Sequence, residues 1–265
     1  SVREFFSRLD MFRDRVDRIA AARGSAARAK GQQAVRLAVI GHSFGGLIVY
    51  QSLSSEFLRA SARYDGELAP GQCQRKFLTR FGDLVILVNP AFEGVRYEPL
   101  KVAGERLKCL DADQLPLVIT VTSTADRATK NAFPIARYFN TLWEDSPGHQ
   151  QTANVYTVGH NDRYRTHALA KCDKDDAACH AACPAAVLEP VSKKVYQLAE
   201  QSSSVGERNA QISTELAYAK SPQGRGKSGD AGKRTDYFCG GLKLTDTESW
   251  FPPSNPFWVV QTTKD

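Results

Sequence analysis

Ser43 stands at the centre of Gly41-His42-Ser43-Phe44-Gly45-Gly46, between a short apolar run and an apolar helix. A serine hydroxyl becomes a useful nucleophile only when a base removes its proton, and the chemistry it then suits is attack on an acyl carbon. The G-x-S-x-G spacing supplies the geometry for that attack. Turning from strand to helix within a few residues forces Ser43 into a strained backbone conformation. Glycines two before and two after it, Gly41 and Gly45, are expected to relieve the clashes, with Gly46 behind them. The helix starting at once behind the serine turns its first amides and its partial positive charge towards a developing oxyanion, and the N–H of Phe44 would be one donor. The plainer alternative is a glycine-rich turn whose serine only caps a helix.

The elements that would hold this turn follow a regular order. Ala34–Ile40, Asp83–Val88 and Leu115–Thr122 are short aliphatic runs of the kind buried in parallel sheets, and Asn89-Pro90 ends the second. An apolar helix over about 45–58 separates the first two. This alternation predicts an α/β chain with a mostly parallel sheet and helices on both faces. Upstream, Val2, Phe5, Phe6, Leu9, Phe12, Val16 and Ile19 predict an amphipathic helix, and Ser1 with Glu4 has capping-box spacing. After Asp126, Asn154–Val158 reads as a short strand. The stretch 168–241 reads as an insertion with a helix near 190–205 and a flexible basic loop at Ser221–Arg234. Asn255–Thr262 reads as a terminal strand. The division expected is one domain over 1–265: strand–helix units at 1–126, an insertion or lid at 127–250, and the terminal strand at 251–265.

The sequences LAVIGHSFGG (37–46), DLVILVNPA (83–91) and LPLVITVTSTAD (115–126) resemble the α/β-hydrolase superfamily of serine esterases and lipases. The resemblance implies a catalytic order of nucleophile, acid, then histidine. It puts the acid at Asp126, which would hold the imidazole tautomer and stabilise the imidazolium. Asp126 equally fits a cap for a helix starting at Arg127. Of the histidines, His160 and His167 follow the acid. His167 is favoured as base because it is read as lying past a strand end, with His160 as the alternative; either could instead be structural in a lid loop. The family's earlier strands, and the loop that gives a second oxyanion donor, have no counterpart before Val35, so the fold is expected to lack its N-terminal strands. The family histidine would follow the last strand, so the base could lie beyond Asp265.

On this reading the chain is a serine hydrolase of small-molecule or lipid esters that needs no metal or organic cofactor. The alternative is a catalytically incomplete α/β-hydrolase domain that acts as a binding module. Composition narrows the classes further. The 265 residues are 42% hydrophobic and 24% charged, values that disfavour disordered and membrane-spanning classes. The formal charge is +6, but basic and acidic residues alternate, as in Arg13-Asp14-Arg15, so a solvated face is expected rather than a nucleic-acid surface. Six cysteines lean towards an exported protein. Cys172, Cys179, His180 and Cys183 could offer a zinc set; a local disulfide from Cys172 to Cys179 or Cys183 is the preferred reading. Phe133, Tyr138, Phe139, Leu142 and Trp143 recur at helical spacing and read as core, or as the wall of an acyl pocket.

Overall fold

Three aliphatic runs become three parallel strands, on which alternate residues such as Val39, Val85 and Val118 are buried. In the computed structural model they are β1 (Ala38–His42), β2 (Leu84–Val88) and β3 (Val118–Ser123). Val39 pairs with Val85 and Val85 with Val118, so the three strands run in register. Strand β8 (Phe257–Thr262) lies beside β3. The structure describes residues 1–22, 36–66, 78, 81–107, 110, 114–126, 129–130, 155–177, 179, 225–227, 234–238, 241–247 and 255–262. The chain is an α/β fold that divides into two compact units, Ser1–Arg165 with Trp250–Gln261, and Thr166–Ser249 with Thr262–Asp265.

In the first unit, helix α2 (Phe44–Gly66) packs on β1 and β2, and helices α1 (Val2–Ala22) and α3 (Glu98–Arg106) pack on α2. Val49, Leu53, Phe57 and Tyr64 recur at helical spacing on the buried stripe of α2. Leu53 is 1% and Phe57 2% exposed, each contributing about 1.5–3 kcal/mol of burial. Phe57 meets Phe257 of β8 edge-on, and Tyr50 stacks on Phe92 with ring centroids 4.5 Å apart. The chain moves in one direction across β1, β2 and β3. Ala38, Ile40 and His42 alternate to the opposite face of β1 and are exposed.

Helix α1 forms where its periodicity predicts, and Ser1 Oγ accepts the Glu4 N–H at 3.3 Å. Its buried face differs from the expected one. Phe6 and Arg13 are buried, whereas Phe5 and Phe12 are 58% and 64% exposed. The reason is an ion cluster. Arg13 Nη2 lies 2.7 Å from Asp14 and 3.1 Å from Asp10, and Nη1 lies 3.8 Å from Asp83. Asp10 accepts the Gly82 N–H at 2.9 Å, and Asp83 accepts the Leu37 N–H at 2.6 Å. These bonds fasten α1 to the amino ends of β1 and β2, so they set the rotation of the helix. Asp83 thus sits at the end of the sheet opposite Ser43.

The second unit is antiparallel, with strands β4 (His167–Lys171), β7 (Leu242–Asp246), β6 (Arg234–Phe238) and β5 (Arg225–Lys227) in that order. It begins at Thr166, inside the stretch 127–250 read as one insertion. Arg225–Lys227 pairs with β6, so the basic segment at 221–234 is not wholly a loop. Phe238 pairs with Leu242, and Gly241, just before the second strand, takes φ 74°, a left-handed conformation that favours glycine. Cys172 and Cys179 are joined in a disulfide, so their sulfurs are not available as zinc thiolates. The expected helix near 190–205 lies outside the described residues, as do Cys183, His180 and the aromatic set from Phe133 to Trp143. None of the described helices is long and apolar enough to cross a membrane.

Arg13 is 8% exposed at its side chain, and truncating it removes the cation shared by Asp10, Asp14 and Asp83. Arg13→Ala is expected to lower unfolding free energy by about 3 kcal/mol, more than an exposed control such as Arg8→Ala. Urea denaturation checks this; equal effects from the two variants would overturn the role given to the cluster.

Candidate active site

Strand β1 ends at His42, and Ser43 takes φ 52°, in the left-handed region that a residue with a Cβ adopts at a cost of about 1–3 kcal/mol. The neighbouring backbone enforces it. Ser43 N–H donates to Val88 O at 3.0 Å, and Ser43 O accepts the N–H groups of Gly46 at 3.0 Å and Ala91 at 3.1 Å. A Cβ on Gly41 would lie 2.8 Å from both Gly45 O and Gly46 Cα, and one on Gly46 would lie 2.9 Å from Pro90 Cβ. A Cβ on Gly45 would meet nothing within 4 Å. The steric requirement expected of Gly41 and Gly45 therefore falls on Gly41 and Gly46. Phe44 opens α2, where the first amides have no intrahelical acceptor, and its ring is 67% exposed. His42 is exposed on the other face of β1 and does not share the Gly41 side.

Because β1, β2 and β3 are parallel and in register, Ser43, Asn89 and Thr122 line up at their carboxyl ends, with Ser123 one residue beyond, where open α/β sheets bind ligands. Asn89 follows β2 with φ 42°, also left-handed, and its Oδ1 accepts the Ser123 N–H at 2.9 Å. Asp126 follows three residues later, its N–H donating to Ser123 O at 3.1 Å. The cap reading of Asp126 has a counterpart here: its O accepts the Lys130 N–H at 3.2 Å and its Oδ1 lies 3.5 Å from the Thr129 amide. Thr129 Oγ1 donates to Asp126 Oδ2 at 2.7 Å, and the same oxygen lies 3.2 Å from His160 Nε2. The structure thus brings Asp126 and His160 together through one hydroxyl.

His160 reaches this position from a short 3-10 turn, Val158–His160, where the sequence predicted a strand at Asn154–Val158. The turn lies against β3 at Gly159, and a Cβ there would overlap the Thr122 hydroxyl. Val158 N–H donates to Phe92 O at 3.3 Å, and Gln261 Nε2 donates to Gly159 O at 3.1 Å. Burial pulls the His160 imidazole below its ordinary value, the Asp126 charge pushes it back up, and Lys130 adds to the depression. A neutral, half-buried imidazole linked through one hydroxyl to a carboxylate is chemically suited to accept a proton.

His167, the favoured base on sequence, belongs to the second unit. It opens β4 instead of lying beyond a strand, because His167–Lys171 pairs with Leu242–Asp246. Its side chain is buried, with Nδ1 2.7 Å from Thr166 Oγ1 and Nε2 3.3 Å from Asp246 Oδ1. Burial, aided by the Arg234 charge, pushes its pKa down to about 3. Asp246 is raised, also by burial first.

Sequence reasoning missed Asn89 and Thr129. The first had a signal, since asparagine at a strand end tolerates the left-handed region. Among the described residues, no group of three or more His, Cys, Asp or Glu side chains is placed to hold a metal ion. None of the protein-family models, curated proteins or solved structures compared with this chain matches it.

Two outcomes are expected. Gly41→Ala and Gly46→Ala should each cost more than about 2 kcal/mol of stability, whereas Gly45→Ala should be neutral or mildly stabilising in helix α2. Thermal unfolding distinguishes them, and equal costs at all three positions would refute the steric assignment. The second concerns His167, whose folded imidazole titrates near 3 and whose unfolded one titrates near 6.5. Its contribution is therefore complete above the unfolded value and is lost as pH falls towards the folded one; Asp246, raised in the fold, opposes that loss. His167→Gln should flatten the fall in unfolding free energy between about pH 6.5 and about pH 4.5. An unchanged slope in urea titrations would sink this.

Proposed function

We propose that this chain is a serine hydrolase of the α/β-hydrolase type that cleaves a small-molecule or lipid carboxylic ester through an acyl-enzyme on Ser43. The observation that carries the reading is the left-handed Ser43, forced by backbone contacts at the carboxyl end of a parallel strand. Such strain on a residue other than glycine costs stability and is typical of functional sites. Ser43 Oγ would attack the acyl carbon while its proton passes to an imidazole. The N–H of Phe44 would donate to the oxyanion. The departing alcohol takes that proton; water then attacks the acyl-enzyme, gives up a proton to the same imidazole, and frees Ser43.

His160 serves this scheme better than His167. It belongs to the same unit as Ser43 and Asp126 and is joined to that carboxylate through Thr129, whereas both ring nitrogens of His167 have partners in the second unit. Asp126 orients His160 and stabilises the imidazolium.

A fluorophosphonate probe tests the proposal, since Ser43 Oγ would displace fluoride from its phosphorus. Labelling should be lost in Ser43→Ala, and turnover of p-nitrophenyl acetate should fall at least about 1000-fold in Ser43→Ala and roughly 100-fold or more in His160→Gln, with His167→Gln far less affected. An unlabelled wild-type chain with no turnover would return it to the binding-module reading. Loss of turnover in His167→Gln alone would reverse the choice of base.

A further inference from the structure

We propose that Thr129 is a positioning residue of the site, its hydroxyl inserted between Asp126 and His160 so that the imidazole is held with its proton on Nε2 and Nδ1 as the basic nitrogen. The inference deepens the hydrolase reading and rests on it for its catalytic meaning.

The argument is one of donors and acceptors. A threonine hydroxyl carries one hydrogen, and an ionised carboxylate can only accept. The Oγ1 to Asp126 Oδ2 distance of 2.7 Å is that of a charge-assisted bond, so the hydroxyl hydrogen is committed to Asp126. Towards His160 Nε2, 3.2 Å away, the same oxygen can then only accept. Nε2 must carry a hydrogen. A neutral imidazole has one, so Nδ1 is bare and is the atom able to take a proton. In the familiar serine triad the carboxylate bonds the Nδ1 side of the ring directly, and the other nitrogen serves as base. Here the ring is engaged from its Nε2 edge, and a hydroxyl stands where the carboxylate would be.

The arrangement is held from several sides. Thr129 is 4% exposed. Its turn is stapled by the Lys130 N–H to Asp126 O, and the His160 turn is pressed on β3 at Gly159 and bonded by Gln261. The charged groups acting on His160 are Asp126 and Lys130, of opposite sign. When Nδ1 gains a proton, Nε2–H still donates to Thr129, and the Thr129 hydrogen still points at Asp126. No proton moves to the carboxylate; its charge acts through the polarised hydroxyl.

The test uses the full chain in four forms: wild type, Thr129→Val, Thr129→Ser and Asp126→Asn. With ¹⁵N-labelled histidine, and His160→Gln to identify the signals, the wild-type ring should be protonated on Nε2 and bare on Nδ1 near neutral pH. Thr129→Val should mix the tautomers. In kinetics on p-nitrophenyl acetate, Thr129→Val should lower kcat roughly tenfold to a hundredfold with little change in KM. Its acid limb should move to lower pH, because the imidazolium loses stabilisation. Thr129→Ser should restore both, and Thr129→Val should add little in the Asp126→Asn background. A wild-type ring protonated on Nδ1, or a Thr129→Val pH profile matching wild type, would overturn the proposal. The tautomer measurement is made on the wild-type ring and does not need a folded Thr129 variant. It also separates the two claims, since an Nε2–H ring in a chain that fluorophosphonate leaves unlabelled would keep the Thr129 link and reject the hydrolase.

Discussion

Backbone pressed on backbone, where Gly41 of β1 meets Gly45 O and Gly46 Cα in the first turn of α2, is the constraint on which the first unit is arranged. The approach leaves no room for a Cβ at Gly41, so the helix can start immediately after the strand. The chain between them has one residue in which to turn, and that residue is Ser43. Its left-handed φ follows from the shortness of the turn. The hydrogen bonds from Ser43 to Val88 and Ala91 then tie the turn to β2 and Pro90, so the neighbouring strand shares in holding the strain. Hydrophobic packing of α2 through Leu53 and Phe57 is strong enough to offset a local cost of this size.

The same logic of close approach positions His160. Gly159 lets a 3-10 turn lie directly on Thr122, and Gln261 of β8 holds the carbonyl of that glycine. Asp126 arrives from the other direction, by a turn that Asn89 anchors at Ser123. Each candidate side chain is thus carried by a backbone contact or a hydrogen bond at a strand end.

The parallel core was legible because Val, Ile and Leu runs bounded by Gly and Asn-Pro have few other ways to be buried. Ser43 was legible because its motif lies between such a run and a helix. What escaped depended on partners distant in sequence. The apolar spacing of α1 pointed to Phe5 and Phe12, but Asp10 and Asp83 draw Arg13 inward and turn the helix. Arg234 closes the segment read as a basic loop, and the strand that starts there, Arg-Thr-Asp-Tyr-Phe, carries its charge on the less buried face. The placement of His167 beyond a strand end differs from the structure because a five-residue strand, His-Ala-Leu-Ala-Lys, has no strong β signal until Leu242–Asp246 pairs with it. Thr129 is one of several threonines near Asp126, and nothing in its local sequence tells which hydroxyl will lie between a carboxylate and an imidazole.

Register in β1, β2 and β3 also acts as a ruler. Each residue advances a strand by about 3.3 Å and sends its side chain to the opposite face. A single residue inserted or deleted within Ala38–His42, Leu84–Val88 or Val118–Ser123 would therefore do two things at once. It would carry one strand end out of line with its neighbours, and it would exchange buried positions such as Val39 or Leu87 for less buried ones. Replacement of one aliphatic residue by another leaves the ruler intact. Sequence length between the core and the carboxyl ends is accordingly under tighter physical constraint in this chain than the identity of the residues that fill it.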